Sequence, residues 1–182
     1  MHRVTADDLP EIVRFFRGLA VAEAPDDPAA GERGEAGLRR SLAAWDFLHS
    51  EACFLLLAHL EGGPAGYLLA VRIPKADARA GFLFVDELYV LPTFRRRGVA
   101  RALVERVQAL AVELGLAGVR LLVRPGNEAA RRLYRQCGFE EHETIFCEWQ
   151  VHERQGMEGK RDKRDREQGA RNGAATWQIQ NE

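Results

Sequence analysis

A chain of 182 residues has room for one well-cored domain, at most two. Its 26 basic residues nearly balance 27 acidic ones, for a formal net charge of −1, which argues against a dedicated nucleic-acid binder, normally a clearly basic protein. No apolar run approaches the ~20 residues that span a bilayer, and no charged-then-apolar leader opens the chain, so a soluble cytoplasmic protein is expected. Cys53, Cys137 and Cys147 lack metal-ligand spacing and read as reduced packing residues, so no metal is expected.

A short strand near Arg3 is followed by Thr5-Ala6-Asp7-Asp8, a helix-capping sequence, and by Leu9, Ile12, Val13, Phe16 and Leu19 on one helical face. The Pro-, Asp-, Ala- and Gly-rich stretch Ala24–Gly37 reads as a loop, and Leu38, Leu42, Trp45 and Leu48 as a second helix. Ala52–Leu60 and Ala65–Ile73 read as strands joined into a hairpin by Glu61-Gly62-Gly63-Pro64. The β-favouring run Phe82–Val90 forms a further strand that must end before Pro92, which has no N–H for a ladder. Val99, Leu103, Val107, Leu110 and Leu114 then recur at helical spacing, with Gly115 placed to close the helix. Val119–Val123 is expected as a short buried strand, Asn127 as the N-cap of another helix with Glu128 favourable to its dipole, and Gly138 as its C′ residue. Thr144–Val151 is expected as a last strand completing a mixed α/β sheet. From His152 the chain changes character: Lys160-Arg161-Asp162-Lys163-Arg164-Asp165-Arg166 mixes signs with almost nothing apolar. Residues 1–151 are therefore read as the domain and 152–182 as a charged, disordered tail.

The stretch Arg95-Arg96-Arg97-Gly98-Val99-Ala100 falls where the strand Phe82–Val90 hands over to a helix. Such a junction directs unpaired backbone N–H groups at one place, a geometry suited to an anion carrying phosphates. Gly98 lets a ligand approach the main chain, Ala100 keeps the next exposed position small, and the arginines add forked cationic donors. Arg-x-x-Gly-x-Ala after a strand resembles the acetyl-CoA pyrophosphate loop of the Gcn5-related N-acetyltransferases (GNAT). A second segment, Asn127-Glu128-Ala129-Ala130-Arg131-Arg132-Leu133-Tyr134-Arg135-Gln136-Cys137-Gly138-Phe139, resembles the family's Asn-x-x-Ala-x-x-Leu-Tyr-x-x-x-Gly-Phe, at the usual distance after the loop. The likeness departs at Arg96, where many members carry glycine.

The resemblance implies a mixed, mostly antiparallel central sheet flanked by helices and splayed between its fourth and fifth strands. It implies acetyl-CoA as co-substrate, held by Arg95, Arg96, Arg97, Gly98, Val99, Ala100 and Arg101, by backbone groups of Leu88, Tyr89 and Val90, and by Asn127 and Tyr134. The reaction implied is direct acetyl transfer to a primary amine. An alkylammonium has a pKa of about 10, so the acceptor must lose a proton before attack, and a carboxylate or a water chain serves. Alternation along the strand sends the Asp86 and Glu87 side chains to opposite faces, so only one of them faces the acceptor; the resemblance, in which family members place an acidic residue at either position, favours Glu87 as that base, with Asp86 second. Tyr134 matches the family's proton donor to the departing thiolate. Cys137 as an acyl carrier is the competing mechanism, with nothing in the sequence to activate it. Small-molecule amines of aminoglycoside, polyamine or amino-acid type are the expected acceptors, with Asp26, Asp27, Glu32 and Glu35 as acidic groups able to attract them. A peptide lysine or amino terminus, or a silent acyl-CoA-binding module, is the alternative. No nucleic-acid or membrane partner is expected, and the family allows a homodimer.

Overall fold

The computed structural model describes residues 2–149; the charged tail and the last two residues of the expected final strand lie outside them. All regular structure among the described residues belongs to the unit Met1–His142. In chain order it comprises β1 (His2–Arg3), α1 (Leu9–Glu23), α2 (Ala30–Trp45), β2 (Cys53–Leu60), β3 (Gly63–Ile73), β4 (Phe82–Val90), α3 (Val99–Glu113), β5 (Gly118–Leu121) and α4 (Glu128–Gln136).

The strands lie in sequence order in a single sheet, antiparallel from β1 to β4 and parallel between β4 and β5. Phe54, Leu55, Leu56, Leu57 and Ala58 are all buried, which an alternating strand achieves only when helices cover both faces of its sheet. Their side chains divide between two layers. Phe54, Leu56, Leu68, Leu83 and Val85 pack with Leu103, Val107 and Leu110 of α3, whereas Leu55, Leu57 and Tyr67 pack with Ile12, Phe15 and Leu19 of α1 and Leu38 of α2.

The site-forming irregularities lie in β4. Only Phe82–Val85 pairs with β5, through Gly118–Leu121, so the stretch from Asp86 to Val90 continues with β3 as its sole strand neighbour. That divergence is the splay between the fourth and fifth strands. The β3–β4 register also shifts, with Leu69 opposite Glu87 but Ala70 opposite Val85, leaving Asp86 as an extra residue in a bulge. Val85, Leu88 and Val90 consequently face α3, while Tyr89 faces α1 and α2. Simple alternation would have put Glu87 on the α3 face with Val85; the bulge turns it to the face that holds Tyr67 and Tyr89.

Three expectations need correction. Of the stretch Ala24–Gly37, read as loop, Ala30–Gly37 belongs to α2, which starts at Ala30 and ends at Trp45, before Leu48. The glycines that suggested a loop are what lets α2 approach α1: a Cβ on Gly34 would lie 2.6 Å from Ala20 Cβ and 2.7 Å from the Phe16 carbonyl oxygen. The strand expected at Val119–Val123 runs instead from Gly118 to Leu121 and is half-buried, because it lies at the sheet edge with Arg120 exposed over the Phe82 ring. Residues 144–149, expected as strand, have no regular structure and are exposed. Their β-favouring side chains supply propensity, but a strand also requires a neighbour to pair with.

Candidate active site

The Arg-x-x-Gly loop begins after a single tight helical turn, Pro92–Phe94. Arg96 is in the left-handed region at φ 62°, and Gly98, at φ 84°, is the N-cap of α3. A Cβ on Gly98 would meet no protein atom within 4 Å, so glycine is required there by its backbone angle and not by crowding. Ala102 N–H donates to the Gly98 carbonyl at 3.0 Å, which leaves the N–H groups of Val99, Ala100 and Arg101 at the helix start without an acceptor in the helix. No side chain caps this end.

These groups open onto a cleft of about 300 Å³ formed by the loop, the first turn of α3 and one face of α4. Arg95, Arg96, Arg101 and Arg132 line it, and no acidic residue does. Arginine side chains around open helical N–H groups fit the diphosphate of a coenzyme A. The arginines have distinct tasks. Arg95 Nε donates to the Val90 carbonyl at 3.0 Å and its guanidinium lies over the Tyr89 ring, tying the loop to the end of β4. Arg97 turns away to pair with Glu61 in the β2–β3 turn, while Arg101 bridges to Gln136 Oε1 of α4 at 2.8 Å. Arg132 and Gln136 were not singled out by sequence reading; their only signal is a helical stripe with Ala129 and Leu133 along the cleft.

Local hydrogen bonding explains much of the second motif. Asn127 Oδ1 accepts the Ala130 N–H at 3.2 Å as the N-cap of α4. At the other end Gly138 adopts φ 84°, Gly138 N–H donates to the Arg135 carbonyl and Phe139 N–H to that of Tyr134. This is a Schellman closure, completed by the Tyr134 and Phe139 rings at 5.7 Å. The spacing Tyr-x-x-x-Gly-Phe is therefore first a helix-stopping device. Tyr134 is half-buried, and burial first, then the electrostatic influence of the Cys137 side chain, raises its phenol above the ordinary tyrosine value. It stays protonated at neutral pH, as a proton donor must. The Cys137 thiol is likewise raised by burial, which opposes the thiolate that acyl transfer through sulfur needs.

The open edge of β4 supplies the remaining backbone groups. Leu91 N–H donates to the Ala65 carbonyl, so in the antiparallel alternation Tyr89 and Glu87 exchange bonds with β3 while Leu88 and Val90 direct theirs into the splay. The Val90 carbonyl is occupied by Arg95. Leu88 N–H thus points where β5 has diverged from β4.

Glu87 accepts a hydrogen bond from the Tyr67 hydroxyl at 2.8 Å. Asp86 and Glu87 are exposed, and Tyr67 is buried. Of the acidic groups before and within α2, Asp27 pairs with Arg33, and Glu35 accepts from Arg17 and Arg39, whose hydrogen bonds hold its carboxyl below the usual range. Among the described residues no group of three or more His, Cys, Asp or Glu is placed to hold a metal ion, and no helix is long and apolar enough to cross a membrane.

The fold agrees with comparisons to known proteins. The family model described as Acetyltransferase (GNAT) family matches residues 18–139, and the chain belongs to that family. It is 33% identical over 64 residues to an aminoglycoside N(6')-acetyltransferase type 1 of Salmonella typhimurium, a match covering 35% of this chain and 44% of that relative. The chain thus spans less than half the length of this curated relative. Among solved structures, an integron cassette protein from the mobile metagenome of V. cholerae shares the fold with a TM-score of 0.66 at 16% identity, over 82% of this chain and 91% of the other. So does AAC(6')-Iy in complex with the bisubstrate analog CoA-S-monomethyl-acetylneamine, with a TM-score of 0.58 at 23% identity, over 82% and 97% of the two chains.

Proposed function

We propose that this protein transfers the acetyl group of acetyl-CoA directly to a primary amine of a small, polycationic molecule of the aminoglycoside kind. The observation that carries this reading is the cleft in which the Arg-x-x-Gly loop, the open start of α3 and the cationic face of α4 converge beside the free edge of β4. The aminoglycoside acetyltransferase name of the Salmonella relative supports the acceptor class.

Acetyl-CoA supplies the thioester. Arg95, Arg96, Arg101 and Arg132, with the N–H groups of Val99, Ala100 and Arg101, would hold its phosphates, the backbone of Leu88 and Val90 its pantetheine arm. Leu88 N–H, fixed by the strand and pointing into the splay, is the donor for the oxyanion that develops as the amine attacks, a stabilisation that depends on a preorganised dipole. Glu87 takes the ammonium proton from the acceptor on the α1–α2 face, with exposed Asp86 adding attraction for cations. Tyr134, held protonated by burial, returns a proton to the leaving thiolate. Cys53, Cys137 and Cys147 are all free, as a reducing compartment requires, which fits placement in the cytoplasm.

Incubation with acetyl-CoA and a panel of aminoglycosides, polyamines, amino acids and lysine peptides tests this, read as free-thiol release and product mass. Amine-dependent thiol release with a singly acetylated aminoglycoside is expected. Saturable CoA binding without amine-dependent release would make the protein a silent acyl-CoA-binding module, and turnover confined to the peptides would move the acceptor to proteins.

A further inference from the structure

We infer that Tyr67 is a positioning residue for acetyl transfer: its hydroxyl fixes the Glu87 carboxylate through Oε2 and leaves Oε1 to receive the acceptor proton. The inference rests on the reading of Glu87 as the base. Tyr67 sits on β3, twenty residues before Glu87 in the chain, and reaches it because the β4 bulge turns Glu87 onto Tyr67's face. Its ring is confined on three sides, with Phe16 at 5.0 Å, Phe15 at 5.9 Å and a stacked Tyr89 at 6.3 Å. Only 8% of the residue is exposed, and the hydroxyl emerges at the edge of this aromatic cluster against an otherwise exposed carboxylate. A free glutamate at a sheet surface samples several rotamers; a donor built on a packed ring selects one. Burial and the neighbouring Glu87 charge both keep the phenol protonated, so it remains a donor whenever Glu87 is ionised.

Tyr67→Phe removes the hydroxyl and keeps the ring that packs against Phe15, Phe16 and Tyr89. Loss of a hydrogen bond to a charged group is expected to lower kcat for the best amine by about tenfold. KM for acetyl-CoA should stay near wild type, because the cationic cleft is untouched, and the melting temperature should fall by only about 2–4 °C, because the packed ring is retained and one hydrogen bond is lost. Glu87→Gln, which removes a general base, is expected to lower kcat by about a hundredfold or more. The decisive comparison is the double variant: with the base absent, adding Tyr67→Phe should cost no further turnover. A wild-type kcat in Tyr67→Phe, or an undiminished tenfold loss from Tyr67→Phe in the Glu87→Gln background, would overturn the proposal while leaving Glu87 in place. An unaltered kcat in Glu87→Gln would remove the base itself and the proposal with it.

Discussion

At Gly98 and Arg96 the same loop makes the same backbone demand on a glycine and on a residue with a side chain. Both have positive φ, 84° and 62°, where an L-residue is strained by about 1–2 kcal/mol and glycine is not. Gly98→Ala should therefore destabilise the protein by about 1 kcal/mol or more and weaken acetyl-CoA binding. Arg96→Gly exchanges that strain for a backbone-entropy cost of roughly 0.5–1 kcal/mol and should be at least as stable in denaturant titrations, at some loss of CoA affinity. A destabilised Arg96→Gly would show that the loop conformation rests on the arginine side chain. The structure also accounts for the family's frequent glycine at that position, which sequence alone presents only as a departure. Tyr67 makes a second residue-scale prediction. Its phenol is raised by burial first and then by the hydrogen bond to Glu87, so folded and unfolded chains are both protonated below about pH 10 and stability is fully present there. As pH rises through about 10 the unfolded tyrosine ionises first, and stability falls. Melting curves between about pH 9 and 11 should fall less steeply in Tyr67→Phe than in wild type; equal slopes would contradict the hydrogen-bonded burial.

Among the elements, those with a clean signature were legible in the sequence. The hairpin of β2 and β3, the end of β4 before Pro92, and the closure of α3 and α4 at Gly115 and Gly138 all follow from local rules that no tertiary contact overrides. The start of α2 was not legible, because a glycine that serves close helix packing has the same sequence signal as one that breaks a helix. Glycine in a helix interior ordinarily gives way to alanine with a gain of up to about 1 kcal/mol. At Gly37, where a Cβ would meet nothing within 4 Å, that gain is expected. At Gly34 the new Cβ would collide with Ala20 and the Phe16 backbone, so Gly34→Ala should destabilise despite its helix propensity. Chemical denaturation of the two variants checks the contrast, and equal effects at both positions would mean that α1 and α2 are not in close contact at Gly34. The bulge at Asp86 was equally hidden: a one-residue slip between β3 and β4 leaves no mark on composition, yet it decides which face Glu87 occupies and brings in Tyr67.

At the scale of the molecule, the site exists because the sheet fails to pair along its whole length. β5 stays with β4 for Phe82–Val85 and then leaves the backbone of Leu88 and the N–H of Val90 without a strand partner, while the cationic cleft forms at the end of the opening and a carboxylate stands on the opposite face. In the proposed reaction, donor and acceptor would approach a single point from two sides, which is what direct transfer requires. The arginine-lined cleft was legible because both motifs lie in contiguous stretches of chain. The contact between Tyr67 and Glu87 was not, because the two residues meet only through strand pairing, and the acidic residues that looked available in sequence include two, Asp27 and Glu35, committed to arginines. The central claim is that both substrates are bound together and the amine attacks the thioester itself. The most direct test is an initial-rate study in which acetyl-CoA and the best acceptor amine are varied against each other. Direct transfer predicts intersecting double-reciprocal lines and no thiol burst without amine. Parallel lines, or an amine-independent burst of thiol, would contradict it and place an acyl group on the enzyme.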